Sequence, residues 1–149
     1  MSLPVTILLA EDNPGDVFLV RRALSRHGLG DVELVVVEDG QAAFRYIDNV
    51  DSDETLLAPG LALLDLNLPR ATGGRILTRI RGSRRCAAIP IIIITSSDSP
   101  LDRAAAAELG ATNYFQKPGD LAGFMQLGRI VRDALDPRPR SAGSAGVCA

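Results

Sequence analysis

Four short runs in this chain, three of them apolar, end on a side chain able to do chemistry. Val5 to Ala10 is followed by Glu11-Asp12, and Leu61 to Leu64 by Asp65. Ile91 to Ile94 is followed by Thr95-Ser96, and a mixed run ending at Gln116 is followed by Lys117-Pro118. In open parallel sheets, ligands bind beyond the carboxyl ends of the strands. If these runs are neighbouring strands, three carboxylates, a hydroxyl and an ammonium meet at one rim. Gathered carboxylates repel and raise one another's pKa. A hard divalent cation relieves that repulsion, and Mg²⁺ favours one or two carboxylates together with a phosphate and waters. Asp65 could then attack phosphorus and become an aspartyl phosphate. Lys117 and the metal would balance charge on the phosphoryl oxygens. Thr95 could donate a hydrogen bond to the product, a contact that exists only once phosphate is present.

Each residue also has an ordinary reading. Glu11-Asp12 could cap the helix that starts near Pro14, Thr95 could be a plain strand residue, and Lys117 a surface lysine. Asp65 resists such a reading, because Asp is depleted in strands and one closing an apolar run needs a partner. The weight of the others comes from the constellation. Glu38-Asp39 serves as a control: it also ends a strand, but the expected fold puts it on an edge away from the site, with Asp39 as a helix cap. His27 reads as a helix-end charge, Cys86 as an unreactive thiol, and Arg81, Arg84 and Arg85 as a solvated basic patch.

The elements that must position these groups alternate between short apolar runs and longer amphipathic segments, the pattern of a parallel sheet with crossover helices. Strands are expected at about residues 5–10, 32–37, 61–65, 90–95 and 113–116. The unalternating runs around 61–65 and 90–95 suit central strands buried on both faces, and the second and fifth suit edges. Helices are expected at 14–27, from Asp39 to about Asp48, and at 74–82, 102–109 and 120–135. Pro14 and Gly28 punctuate the first, the Ala-rich fourth stops at Gly110, and Phe124, Leu127, Val131 and Leu135 form the inner stripe of the last. Residues 49–60 read as an acidic loop. Residues 136–149, with Pro137, Pro139 and a Ser/Ala/Gly run, read as a disordered tail after a domain spanning 1–135.

Composition narrows the function. The chain has 149 residues, 46% of them hydrophobic, enough for one full-sized core. Its net charge of −2, with no basic run, argues against a nucleic-acid partner. Cys86 and Cys148 make no disulfide framework, which fits a reducing, cytoplasmic setting. There is no stretch that would span a bilayer and no basic leader with a cleavage site.

The segments LLAEDNPGDV, LALLDLNLPRATGG, PIIIITSSD and YFQKPGD, in this order, resemble those of two-component response-regulator receiver domains. Thr95 lies 30 residues after Asp65, and Lys117 lies 22 after Thr95, spacings similar to that family's. The resemblance covers about residues 4–135. It implies a flavodoxin-like, doubly wound (βα)5 α/β fold with strand order 2-1-3-4-5. It implies Asp65 as phosphoacceptor, with Glu11, Asp12, Asp65 and the Asn67 carbonyl holding Mg²⁺, Asp12 the more direct ligand of the first pair. It further implies Lys117 as phosphate-binding lysine, Thr95 and Tyr114 as switch residues, and a cis Lys117–Pro118 peptide. The implied donor is a histidine kinase, and the receiver catalyses its own phosphorylation and dephosphorylation. Output passes to a downstream protein through the fourth helix, fifth strand and last helix, and a homodimer is expected. EDNPGDV and DLNLPR are similar to receivers that partner bacteriophytochrome-type kinases. Thr72 stands where an acidic residue is common in the family and Gly119 where a bulkier apolar one is.

Other functions meet specific obstacles. An aspartyl-phosphate hydrolase usually carries a second acid two residues after its nucleophile, where this chain has Asn67. A phosphorylation-independent binding scaffold predicts a missing acid or lysine, and none is missing. A flavin site would need a phosphate loop where Glu11 and Asp12 would repel it.

Overall fold

The computed structural model describes residues 5–70 and 72–136. Ten elements alternate along the chain: β1 (Thr6–Ala10), α1 (Pro14–Arg26), β2 (Glu33–Val37), α2 (Gly40–Ser52), β3 (Leu61–Asp65), α3 (Gly73–Arg81), β4 (Ile91–Thr95), α4 (Pro100–Glu108), β5 (Asn113–Gln116) and α5 (Leu121–Leu135). The five strands form one parallel sheet in the order β2-β1-β3-β4-β5, as expected. β1, β3 and β4 are buried along their whole length, and the edges β2 and β5 are partly open.

Strand alternation divides the core in two. Leu8, Ala62, Leu64, Ile91 and Ile93 face a cluster closed by Ile47 of α2, Ile76, Leu77 and Ile80 of α3 and Ala106 of α4. Ile7, Leu9, Leu61, Leu63, Ile92 and Ile94 face α1 and α5, where Val20, Leu24, Phe124, Leu127 and Val131 are buried. Phe115 and Phe124 meet edge to face, ring centroids 5.9 Å apart. Gly128 lets α1 and α5 close together, since a Cβ there would run into the Ala23 carbonyl oxygen and the His27 ring. Among the described residues no helix is long and apolar enough to cross a membrane.

Several boundaries differ from expectation for physical reasons. α2 runs on to Ser52, because the acidic stretch is neutralised from α3 and the segment after it. Asp51 accepts from Ser83 Oγ at 2.7 Å and from the backbone N–H groups of Arg84 and Arg85, and it pairs with Arg79 at 3.4 Å. α4 starts at Pro100, two residues early, because the Ser99 side chain accepts from the Asp102 N–H. Of the basic patch, Arg84 is exposed as expected, but Arg81 and Arg85 are not solvated. Arg81 donates to the carbonyls of Ala87, Ile89 and Gly110, and Arg85 to those of Val50 and Asp53. The Lys117–Pro118 peptide is trans rather than cis. Residues 137–149 of the expected tail lie outside the described residues.

Candidate functional site

Register brings the chemistry to one rim. Ala10 of β1 pairs with Leu64 of β3 and Val37 of β2, so Glu11 and Asp65 each sit one position further along, side by side. Asp65 pairs with Ile94 of β4 and Thr95 with Gln116 of β5, so Thr95 and Lys117 follow in the same sense. Backbone bonds extend the ladder to these residues, Glu11 N–H to the Val37 carbonyl at 2.9 Å and Lys117 N–H to the Thr95 carbonyl at 2.7 Å. α3 starts hard against the site. A Cβ on Gly73 would lie 2.5 Å from the Asp65 carbonyl oxygen, so only glycine lets that helix approach. Thr72, in the often acidic position, is the α3 N-cap.

Glu11, Asp12 and Asp65 each offer a carboxylate oxygen, all within 4.8 Å of one another. Glu11 and Asp65 are buried, whereas Asp12 is exposed. Neither Glu11 nor Asp12 caps α1: Asn13 does, its side chain accepting from the Gly15 and Asp16 N–H groups. Glu11 accepts instead from the Asn13 N–H and from Lys117. An all-oxygen set of acids with one member open to solvent suits a hard divalent cation. Asn67 donates its backbone N–H to Asp65 Oδ1 at 3.0 Å, which fixes that carboxylate at the rim.

Lys117 is the centre of charge. Its ammonium donates to Asp16 Oδ2 at 2.7 Å, Glu11 Oε1 at 2.8 Å and Asp65 Oδ2 at 3.2 Å. Burial alone would push its pKa down, but the bonds to Asp16 and Glu11 outweigh this and the pKa rises, so the ammonium stays charged. Glu11 moves up as well, because burial of its carboxylate exceeds the help from Lys117, and the nearby Asp65 charge adds to the rise.

Asp16 is the site residue that the sequence reading missed. It is the third residue of α1, where an acid ordinarily signals only a favourable interaction with the helix dipole. The control pair is also nearer than expected. Asp39 caps α2 through the Ala42 N–H, but Glu38 lines a cavity of about 260 Å³ together with Glu11, Asp12 and Arg21.

Thr95 is fully buried, and its hydroxyl oxygen accepts from the Ser97 N–H at 3.2 Å. Tyr114 reaches over from β5 and donates its hydroxyl to the Ser97 carbonyl at 3.2 Å. The Arg103 guanidinium of α4 lies 4.3 Å from the Tyr114 ring centre. One short loop thus touches both residues expected to switch.

A parallel five-stranded sheet in this order, with acids and a lysine gathered at its carboxyl rim, defines a class of phosphoryl-accepting signalling domains, and the comparisons agree. Residues 7–127 match the response regulator receiver domain model, and the chain belongs to that family. Response regulator Rcp1 of Synechocystis is 33% identical over 124 residues, 83% of this chain and 84% of Rcp1. The phosphorylated cyanobacterial phytochrome response regulator RcpA superposes with a TM-score of 0.80 at 28% identity, over 94% of this chain and all of that one. The Mn²⁺-bound form of Rcp1 superposes with a TM-score of 0.78 at 31% identity, over 93% of this chain and all of that one.

Proposed function

We propose that this protein accepts a phosphoryl group on Asp65 from a partner histidine kinase, in a Mg²⁺-dependent reaction, and signals by a change of shape to a protein target. The observation that carries this reading is the convergence on Asp65 of two further acids and the Lys117 ammonium, 3.2 Å from Asp65 Oδ2. A carboxylate oxygen of Asp65 forms the new O–P bond as the P–N bond of a phosphohistidine breaks. The electron pair leaves with the imidazole nitrogen, which takes up a proton. Lys117 meets the phosphoryl oxygens, and the Thr95 hydroxyl turns from the Ser97 N–H to donate to one of them. Glu11, Asp12 and Asp65, with the Asn67 carbonyl, would hold Mg²⁺, which when bound supplies positive charge against the phosphoryl oxygens.

The turn of Thr95 is felt by Tyr114 through their shared Ser97, so Tyr114 relays the event to the face formed by α4, β5 and α5. Similarity to RcpA, whose name gives a phytochrome connection, supports a bacteriophytochrome-type kinase as donor. A cytoplasmic location, a homodimer, self-catalysed dephosphorylation and a receiver spanning residues 1–135 before a tail at 136–149 complete the reading. Nucleic acid and membrane are not partners in it.

The test is Mg²⁺-dependent labelling by acetyl phosphate, followed by mass spectrometry. Native protein gains one acid-stable, base-labile phosphoryl group, and Asp65→Asn gains none. Labelling of Asp65→Asn at the native rate would reject the assignment. A scaffold that works without phosphorylation would instead hold its partner equally well with and without the donor.

A further inference from the structure

Lys117 has three N–H bonds to give, and all three go to carboxylates of different residues. Glu11 and Asp65 belong to the acid group able to hold a cation, and Asp16 does not. Yet Asp16 makes the shortest of the three contacts, 2.7 Å, and Asp65 the longest, 3.2 Å. Asp16 is also firmly placed for this contact. Its backbone N–H is bound by the Asn13 cap, and its side chain is only 22% exposed, against 11% for Lys117. Three carboxylates therefore share one ammonium, and the one outside the cation group makes the shortest contact with it.

We propose that Asp16 is a positioning residue that restrains Lys117 and so weakens the hold of the site on a phosphoryl group. The inference rests on the reading of Asp65 as phosphoacceptor. In the resting site Asp16 draws the ammonium toward α1, 2.7 Å from its own carboxylate against 3.2 Å from that of Asp65. An arriving phosphoryl group must compete with Asp16 for Lys117, and it also meets the repulsion of a carboxylate that a cation between the other three acids does not cover. For a cation the effect has the opposite sign. The Asp16 charge attracts it, and by occupying Lys117 it leaves Glu11 and Asp65 less encumbered. Asp16 thus favours loading of the metal and disfavours retention of the phosphoryl group.

These opposite signs set the experiment. Beryllium trifluoride, a non-covalent phosphoryl analogue that seats on a carboxylate, is titrated at saturating Mg²⁺ into native protein, Asp16→Asn, Asp16→Ala and Asp16→Glu, with uptake followed by NMR. Mg²⁺ alone is titrated separately. Asp16→Asn and Asp16→Ala are expected to bind the analogue on the order of five- to tenfold more tightly than native, the size of one charge-assisted contact released. The same variants should bind Mg²⁺ more weakly, and Asp16→Glu should return both affinities toward native. The half-saturating concentration of acetyl phosphate should fall in parallel. Equal or weaker analogue binding in the near-isosteric Asp16→Asn would overturn the proposal, and a merely structural role for Asp16 would lower both affinities together. Uptake by native protein with none by Asp65→Asn shows that the parent reading stands whatever Asp16 does. No uptake by native protein removes that reading, and this inference with it.

Discussion

At the scale of single residues, the site is a balance of like charges held in check by one cation. Asp12 is the acid with no part in that check: Lys117 reaches Glu11, Asp16 and Asp65 but not Asp12. Replacing Asp12 by Asn should therefore raise the melting temperature of metal-free protein slightly, because it removes repulsion and no favourable pair. The same change should abolish the response to metal. Native protein should gain about 1.4 kcal/mol at a Mg²⁺ concentration ten times the dissociation constant, and thermal melts of both proteins across a Mg²⁺ series would show it. A native melting curve indifferent to Mg²⁺ would count against the cation site. The acids and lysine were legible in sequence because each stands at or just past the end of a strand-like run. Asp16 was not, because what gives it meaning is a lysine 101 positions away.

At the scale of elements, the site depends on close approaches that glycine permits. The contact of α1 with α5 fixes the helix that carries Asp16, and Gly128 lies at its crossing point against Ala23 and His27. Gly128→Ala should destabilise the protein by about 1–3 kcal/mol, in the range of overpacked cores, as chemical denaturation would measure. A loss below about 0.5 kcal/mol would mean that the helices can part at little cost. Strand positions were readable to within a residue, since runs such as Ile91 to Ile94 have no other use than to be buried on both faces. Helix ends were less so. Ser99 as the cap of α4 was hidden in a run of polar residues, and the last turn of α2 looked like a loop because its acids have partners about 30 residues further on.

At the scale of the whole molecule, two polar knots tie the face of the sheet that carries α2, α3 and α4. In the first, Asp51 is partly buried, a condition that alone would raise its pKa. Bonds from Ser83, the Arg85 and Arg84 N–H groups and Arg79 outweigh this and hold it below its ordinary value of 3.8. A depressed carboxyl contributes stability that is complete above its unfolded-state pKa and is lost as pH falls through the lower folded value. Native protein should thus lose an increment of stability below about pH 3.8 that Asp51→Asn never has. Denaturation midpoints of the two between pH 2.5 and 6 should converge at the acid end, and parallel curves would refute the linkage. The second knot is Arg81, whose guanidinium joins the carbonyls of Ala87, Ile89 and Gly110. Gly110 follows the end of α4 at the amino ends of the strands, opposite the acids, whereas Pro100 begins it beside Ser97 and Ser99. One end of α4 is therefore moored through Arg81, and the other is tied to the Thr95 loop itself, where Ser97 Oγ donates to Asp102 Oδ2 at 2.7 Å, like a gate hung on one post and latched to another. Any rearrangement that starts at the Thr95 loop must swing the helix about its far end rather than slide it, so displacement should be greatest at Leu101 and fade toward Leu109.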